Sequence, residues 1–148
     1  MQQRFIINSF VEQPMQYNTD FLFTPEVLQD INIRFSLILK YREQSDMVGV
    51  QVDLMYTHQQ QRILVYSAML TLQDFSWLEF LKTKPDEEQI REFALPWFEY
   101  AFNFLRGALA VNAKNTPAQK LFLPIIDTNS CKPFIQIEKV ADKQTIIV

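Results

Sequence analysis

Apolar side chains fall at every second position from Ile31 to Tyr41, where Ile31, Ile33, Phe35, Leu37, Leu39 and Tyr41 alternate with Asn32, Arg34, Ser36, Ile38, Lys40 and Arg42. A period of two marks a strand with one face in a core. The polar break Glu43-Gln44-Ser45-Asp46 is followed by Val48, Val50, Val52, Leu54 and Tyr56, and the break from Thr57 to Gln61 by Leu64, Tyr66, Ala68, Leu70 and Leu72. Links this short join antiparallel neighbours, because parallel strands need a crossover of about a dozen residues or more. The pattern predicts a meander over 30–42, 47–57 and 62–74, with a fourth strand over 4–11 in which Phe5, Ile7, Ser9 and Val11 alternate. The stretch from Val11 to Asp30, through Pro14 and Pro25, is too long for a hairpin loop.

After Asp74 the period becomes helical: Ile90, Phe93, Trp97, Ala101, Leu105 and Leu109 share one stripe, and Asp86 with Glu87 and Glu88 suits a helix N-terminus. Pro96 interrupts that stripe, so the pattern predicts a short first helix ending near Ala94 and a main helix from about 96 to 112, with Pro96 in its first turn. Asn115-Thr116-Pro117 ends it, and Ala118 to Phe122 has room for one more helical turn. Residues 133–138 and 145–148 read as two short strands, making 132–148 a terminal extension folded as a short hairpin. Neither a repeat nor a boundary divides the chain. The expectation is one α+β domain over 1–148, with a four-stranded antiparallel sheet and a long C-terminal helix packed on one face.

Composition narrows the partners. A chain of 148 residues can bury about 70% of its unfolded surface without metals or disulfides. Its net charge of −3 removes the electrostatic drive for nucleic-acid binding. Arg34, Lys40 and Arg42 share one side of a strand and read as a solvated face, with an anion contact as the lesser reading. The single cysteine, Cys131, makes no internal disulfide, and Met1-Gln2-Gln3-Arg4 does not begin a secretion signal, so a cytoplasmic location is expected. The apolar run Ala94 to Val111 contains Pro96, Glu99, Asn103 and Arg106 and reads as a buried helix rather than a membrane segment.

Catalytic signals are weak. The two glycines, Gly49 and Gly107, do not form a phosphate-cradling loop, and the one histidine, His58, sits in an expected tight turn and reads as an exposed loop residue. With one His and one Cys, no metal site, cofactor or catalytic residue is expected, and Asp86, Glu87 and Glu88 serve capping. More informative is the second face of the meander, where Ile38, Met55, Ile63, Val65 and Met69 lie opposite the main apolar rows. Pairing across the 57–61 turn brings Met55 near Ile63 or Val65. Such a patch marks either an interaction surface or a seat for the C-terminal segment. Trp97, beside a groove between helix and sheet, is the next candidate.

The order of elements, together with Leu95-Pro96-Trp97-Phe98-Glu99-Tyr100-Ala101, Thr116-Pro117 and Leu123-Pro124-Ile125-Ile126-Asp127, resembles the SecB family of protein-export chaperones over about Phe5 to Asp127. The resemblance implies a Greek-key-like four-stranded sheet backed by a helix, a homodimer or tetramer, and ATP-independent holding of unfolded polypeptides in apolar grooves. Two departures are a missing C-terminal Cys/His zinc-binding tail and a sheet surface that is not strongly acidic. The leading expectation is therefore a non-enzymatic polypeptide-binding protein, in which Ile38, Met55, Ile63, Val65, Met69 and Trp97 contact a client or a second copy. An oligomeric adaptor or structural protein docking one partner is the alternative. An enzyme of hot-dog-like fold ranks third, because that architecture sets its long helix before most of the sheet.

Overall fold

The computed structural model describes residues 5–121 and 123–141. Its strands are β1 (Phe5–Glu12), β2 (Gln16–Tyr17), β3 (Asn32–Tyr41), β4 (Met47–His58), β5 (Gln61–Asp74) and β6 (Ile135–Lys139). Helices α1 (Pro25–Leu28), α2 (Trp77–Lys82), α3 (Glu87–Ala113) and α4 (Thr128–Cys131) lie between them, and α3 carries most of the helical packing. The class is α+β, as the two periods predict.

The strands run β1-β5-β4-β3-β6 across the sheet, with β2 pairing beside β1 on β5. β3, β4 and β5 form the hairpin-linked meander, and β1 returns next to β5, which is a Greek-key order. Six strands replace the expected four. β2 adds two residues opposite Val65 and Leu64, and β6 pairs in parallel with Leu37 to Tyr41 of β3. Residues 135–139 are thus a strand, but they extend the main sheet; the other half of the expected hairpin, 145–148, lies outside the described residues.

Cross-strand rows explain the core. Phe35, Leu54 and Tyr66 stand opposite one another, as do Leu37, Val52 and Ala68, then Leu39, Val50 and Leu70. α3 seals this face with Ile90, Ala94, Trp97, Ala101, Leu105 and Leu109, all buried. A bulge between Ile7 and Ser9 changes the alternation expected for β1. It puts Phe5, Ile7 and Phe10 against the core, opposite Asp74, Leu72 and Leu70, and turns Val11 to the other face beside Met69.

A single helix replaces the expected pair around Pro96. An internal proline costs about 3 kcal/mol. Against that, Ala94, Leu95, Trp97 and Phe98 on either side are all buried, and a fully buried large apolar side chain contributes about 1.5–3 kcal/mol. Continuous packing therefore outweighs the local penalty. The N-terminus forms as expected, with a capping box in which the Gln89 N–H donates to Asp86 Oδ1 at 2.8 Å and the Asp86 N–H to Gln89 Oε1 at 2.9 Å.

From α3 the chain turns back along the helix and is fastened by long cationic side chains. Arg106 donates from Nε to the Leu123 carbonyl and from Nη2 to the Pro124 carbonyl, both at 3.0 Å. Fifteen residues earlier on the helix, about 22 Å away, Arg91 Nε donates to the Ile135 carbonyl at 2.8 Å. Lys132 Nζ reaches Glu88 at 2.9 Å and Glu92 at 2.8 Å, and hydrogen bonds to Glu92, then Glu88, raise its pKa from the ordinary value. β6 is delivered to β3 by this fastening.

At the end of β5, the buried carboxylate of Asp74 accepts from the Ser76 N–H at 2.9 Å, the Ser76 hydroxyl at 2.6 Å and Trp97 Nε1 at 3.3 Å. Trp77 packs on Trp97 with ring centroids 5.2 Å apart and also meets Tyr41, Phe80 and Phe93. Replacing Asp74 by alanine leaves a buried indole N–H without a partner and opens a small void. Asp74→Ala is expected to lower stability by about 2–4 kcal/mol, measured as a lower urea midpoint at unchanged slope.

Candidate functional site

The sheet has one face under α3 and one turned away from it. On the second face the register sets Arg34, Met55 and Val65 side by side across β3, β4 and β5, with Ser36, Asp53 and Ser67 as the next row. These residues line a shallow depression of about 410 Å³, and Arg62 closes its end. Met55 and Val65 are half-buried, whereas Arg34 and Arg62 are exposed. Asp53 is held at both oxygens by the Gln51 side-chain amide, each contact 3.2 Å.

The six residues singled out in the sequence divide between surface and interior. Met55 and Val65 are direct cross-strand partners and form the floor of the depression. Ile38 lies on the same face, half-buried, opposite Gln51. Met69 is also on this side but is 0% exposed, covered between Val11 and Gln51. Ile63 is 1% exposed and belongs to the main core cluster. The register shift at Tyr56/Thr57, where Tyr56 faces Leu64 but Thr57 faces Arg62, leaves Ile63 without an opposite number and turns it inward. Trp97 is wholly internal, 0% exposed and bonded to Asp74, so its side chain is not on the surface.

Sequence reasoning passed over a second apolar surface. Tyr100, Phe104 and Val111 recur along one edge of α3 and remain 47%, 39% and 74% exposed. Phe5 meets Tyr100 edge to face at 5.1 Å, and Phe10 stacks on Phe104 at 5.2 Å. The signal was present as a second helical stripe, offset by about one residue from the buried one, but the buried stripe absorbed the argument. At the end of this flank the Tyr66 hydroxyl donates to Glu12 Oε2, and Asn112 Nδ2 donates to Glu12 at 3.3 Å and to Tyr66 Oη at 3.1 Å.

His58 departs from its expected setting. It ends β4 and is mostly buried, with Nε2 3.5 Å from Asp30 Oδ2 and its ring 5.7 Å from Phe21. The hairpin is tighter than the polar run suggests, since only Gln59 and Gln60, both at positive φ, turn the chain, and His58 pairs with Gln61. At Cys131, burial and then the Asp127 carboxylate push the thiol up from its ordinary pKa. That favours the thiol over the nucleophilic thiolate near neutral pH. Among the described residues, no group of three or more His, Cys, Asp or Glu side chains could hold a metal ion, and no helix is long and apolar enough to cross a membrane.

Comparisons with known proteins add little. No protein-family model matches the chain, and no curated protein matches it. A crystal structure of a protein of unknown function from Streptococcus agalactiae is similar over 84% of this chain and 99% of that one, with 13% identity and a TM-score of 0.32. A likeness at that level carries no argument about this chain.

Gly107 sits exposed on α3 between Phe104 and Val111, and a Cβ added there meets no heavy atom within 4 Å. Glycine in a helix interior costs about 1 kcal/mol relative to alanine. Gly107→Ala is expected to stabilise the protein by about 0.5–1 kcal/mol, read as a higher urea midpoint; a lower midpoint would mean that another surface already approaches this helix closely.

Proposed function

We propose that the protein binds extended or unfolded polypeptide without nucleotide, in the manner of a SecB-like holdase, and that its client lies across the open sheet face. The observation that supports this is the depression floored by Met55 and Val65, an apolar strip that no other described part of the chain covers. Affinity there comes from burying apolar side chains, at about 25 cal/mol per Å². The work is binding rather than catalysis, in a cytoplasmic setting.

One observation favours the narrower reading of an adaptor with a dedicated partner. Because Ile63 and Met69 are internal, the open apolar area reduces to Ile38, Met55 and Val65, which suits one short segment better than long stretches of many clients. We place self-association on the other surface, the Tyr100 and Phe104 flank beside β1, which leaves the sheet face free in a homodimer or tetramer.

Two measurements test these assignments. Met55→Asp with Val65→Asp is expected to abolish suppression of aggregation in a light-scattering assay while circular dichroism stays unchanged, since both side chains point away from the core rows. Retained activity in a folded double variant would sink the sheet-face assignment. Multi-angle scattering of the wild-type chain is expected to give a multiple of the 17.5 kDa chain mass, and Phe104→Glu to return it to monomer with client binding intact.

A further inference from the structure

We infer that the segment received by the open sheet face is acidic as well as apolar, with carboxylates that meet Arg34 and Arg62. The inference rests on the polypeptide-binding reading and adds the chemistry of the partner. Both guanidinium groups are exposed at the depression that Met55 and Val65 floor. Neither has an ion-pair partner among the described residues, where the acidic side chains in ion pairs meet His58, Lys82, Arg91, Lys132 and Lys139 instead.

The other described arginines are less open to a partner. Arg91 and Arg106 hold backbone carbonyls of the returning C-terminal segment, whereas Arg42 is half-buried, with its Nε out of solvent and unpaired. Arg34 and Arg62 are therefore the arginines left facing solvent, and the register sets them on one face together with Lys40. One carboxylate, Asp53, shares the depression, where the Gln51 amide donates to both its oxygens, so two guanidinium groups stand there against a single carboxylate. In a chain of net charge −3, this local surplus of positive charge selects an anionic partner.

Geometry then selects a peptide over a polyanion. Arg34 lies two strand spacings from Val65, about 10 Å across the sheet, and Arg62 lies farther along β5 toward the hairpin. An extended chain rises about 3.3 Å per residue, so acidic residues three to four positions apart reach both guanidinium groups while apolar residues between them cover Met55 and Val65. Nucleic acid would present phosphates to the rim and leave the apolar floor unfilled.

The test uses three fluorescein-labelled ten-residue peptides that share a leucine-rich centre and differ only at two flanking positions, which carry Asp, Asn or Lys. Anisotropy with the full chain at low salt is expected to show the Asp peptide binding about tenfold tighter than the Lys peptide, with the gap narrowing at high salt. Arg34→Glu with Arg62→Glu is expected to reverse the order, and circular dichroism checks the fold, which two exposed substitutions should leave intact. Equal affinities for the three peptides, abolished by Met55→Asp with Val65→Asp, would overturn the acidic preference and leave polypeptide binding standing. Binding to none of them, or only to vesicles containing phosphatidylserine, would overturn both.

Discussion

A carboxylate with no access to water governs how this chain closes. Asp74 ends β5, and the free energy of burying it is recovered through the Ser76 N–H, the Ser76 hydroxyl and the Trp97 indole. Those three donors come from the N-cap of α2 and from the residue directly after Pro96 in α3, so satisfying one group ties two helices to the end of β5. Once Trp97 is pinned, the rotation of α3 about its axis is set. Ala101, Leu105 and Leu109 then face the sheet, Tyr100 and Phe104 face β1, and Arg91 and Arg106 face the returning C-terminal segment.

One long helix covers one face of a twisted sheet, and the remainder of the architecture deals with what is left. At the β3 edge the backbone is paired by β6, which arrives along α3 through contacts from Arg106, Lys132 and Arg91. At the β5 edge, β1 and β2 pair in succession, separated by residues 13–15. Neither device reaches the far face. Its centre closes on itself, with Thr71 and Met69 buried among their neighbours, while the end nearer the β4–β5 hairpin stays open around Met55 and Val65.

The parts of this arrangement that were legible in the sequence share a cause. Rows of period two survive because each residue's face is fixed by the pleat, so β3, β4 and β5 could be read within one or two residues of their ends. The same rows, with a two-residue turn at Gln59 and Gln60, made the Met55–Val65 pair readable. What was not legible came from single-residue insertions and from distant packing. Bulges at Asn8 and Ile63 each invert a face without leaving a mark in the hydrophobic pattern. Pro96 reads as a break until the burial of Leu95, Trp97 and Phe98 is known, and the parallel docking of β6 depends on arginines whose partners are backbone carbonyls.

Which polar groups are tied to neighbours and which stand free bears on what the open sheet face can hold. Here three carboxylates are tied to neighbouring side chains: Asp74 to Ser76 and Trp97, Glu12 to Tyr66 and Asn112, Asp53 to Gln51. Arg34 and Arg62 stand on long side chains at the rim of an apolar strip, where a cation can attract and orient an anionic group. A shallow floor two side chains wide gives little area to any single contact, so residence there depends on matching charge and apolar pattern together. Selective, reversible holding, the function proposed for this face, needs that combination, and the strip around Met55 and Val65 supplies both elements on a part of the sheet that α3 does not cover.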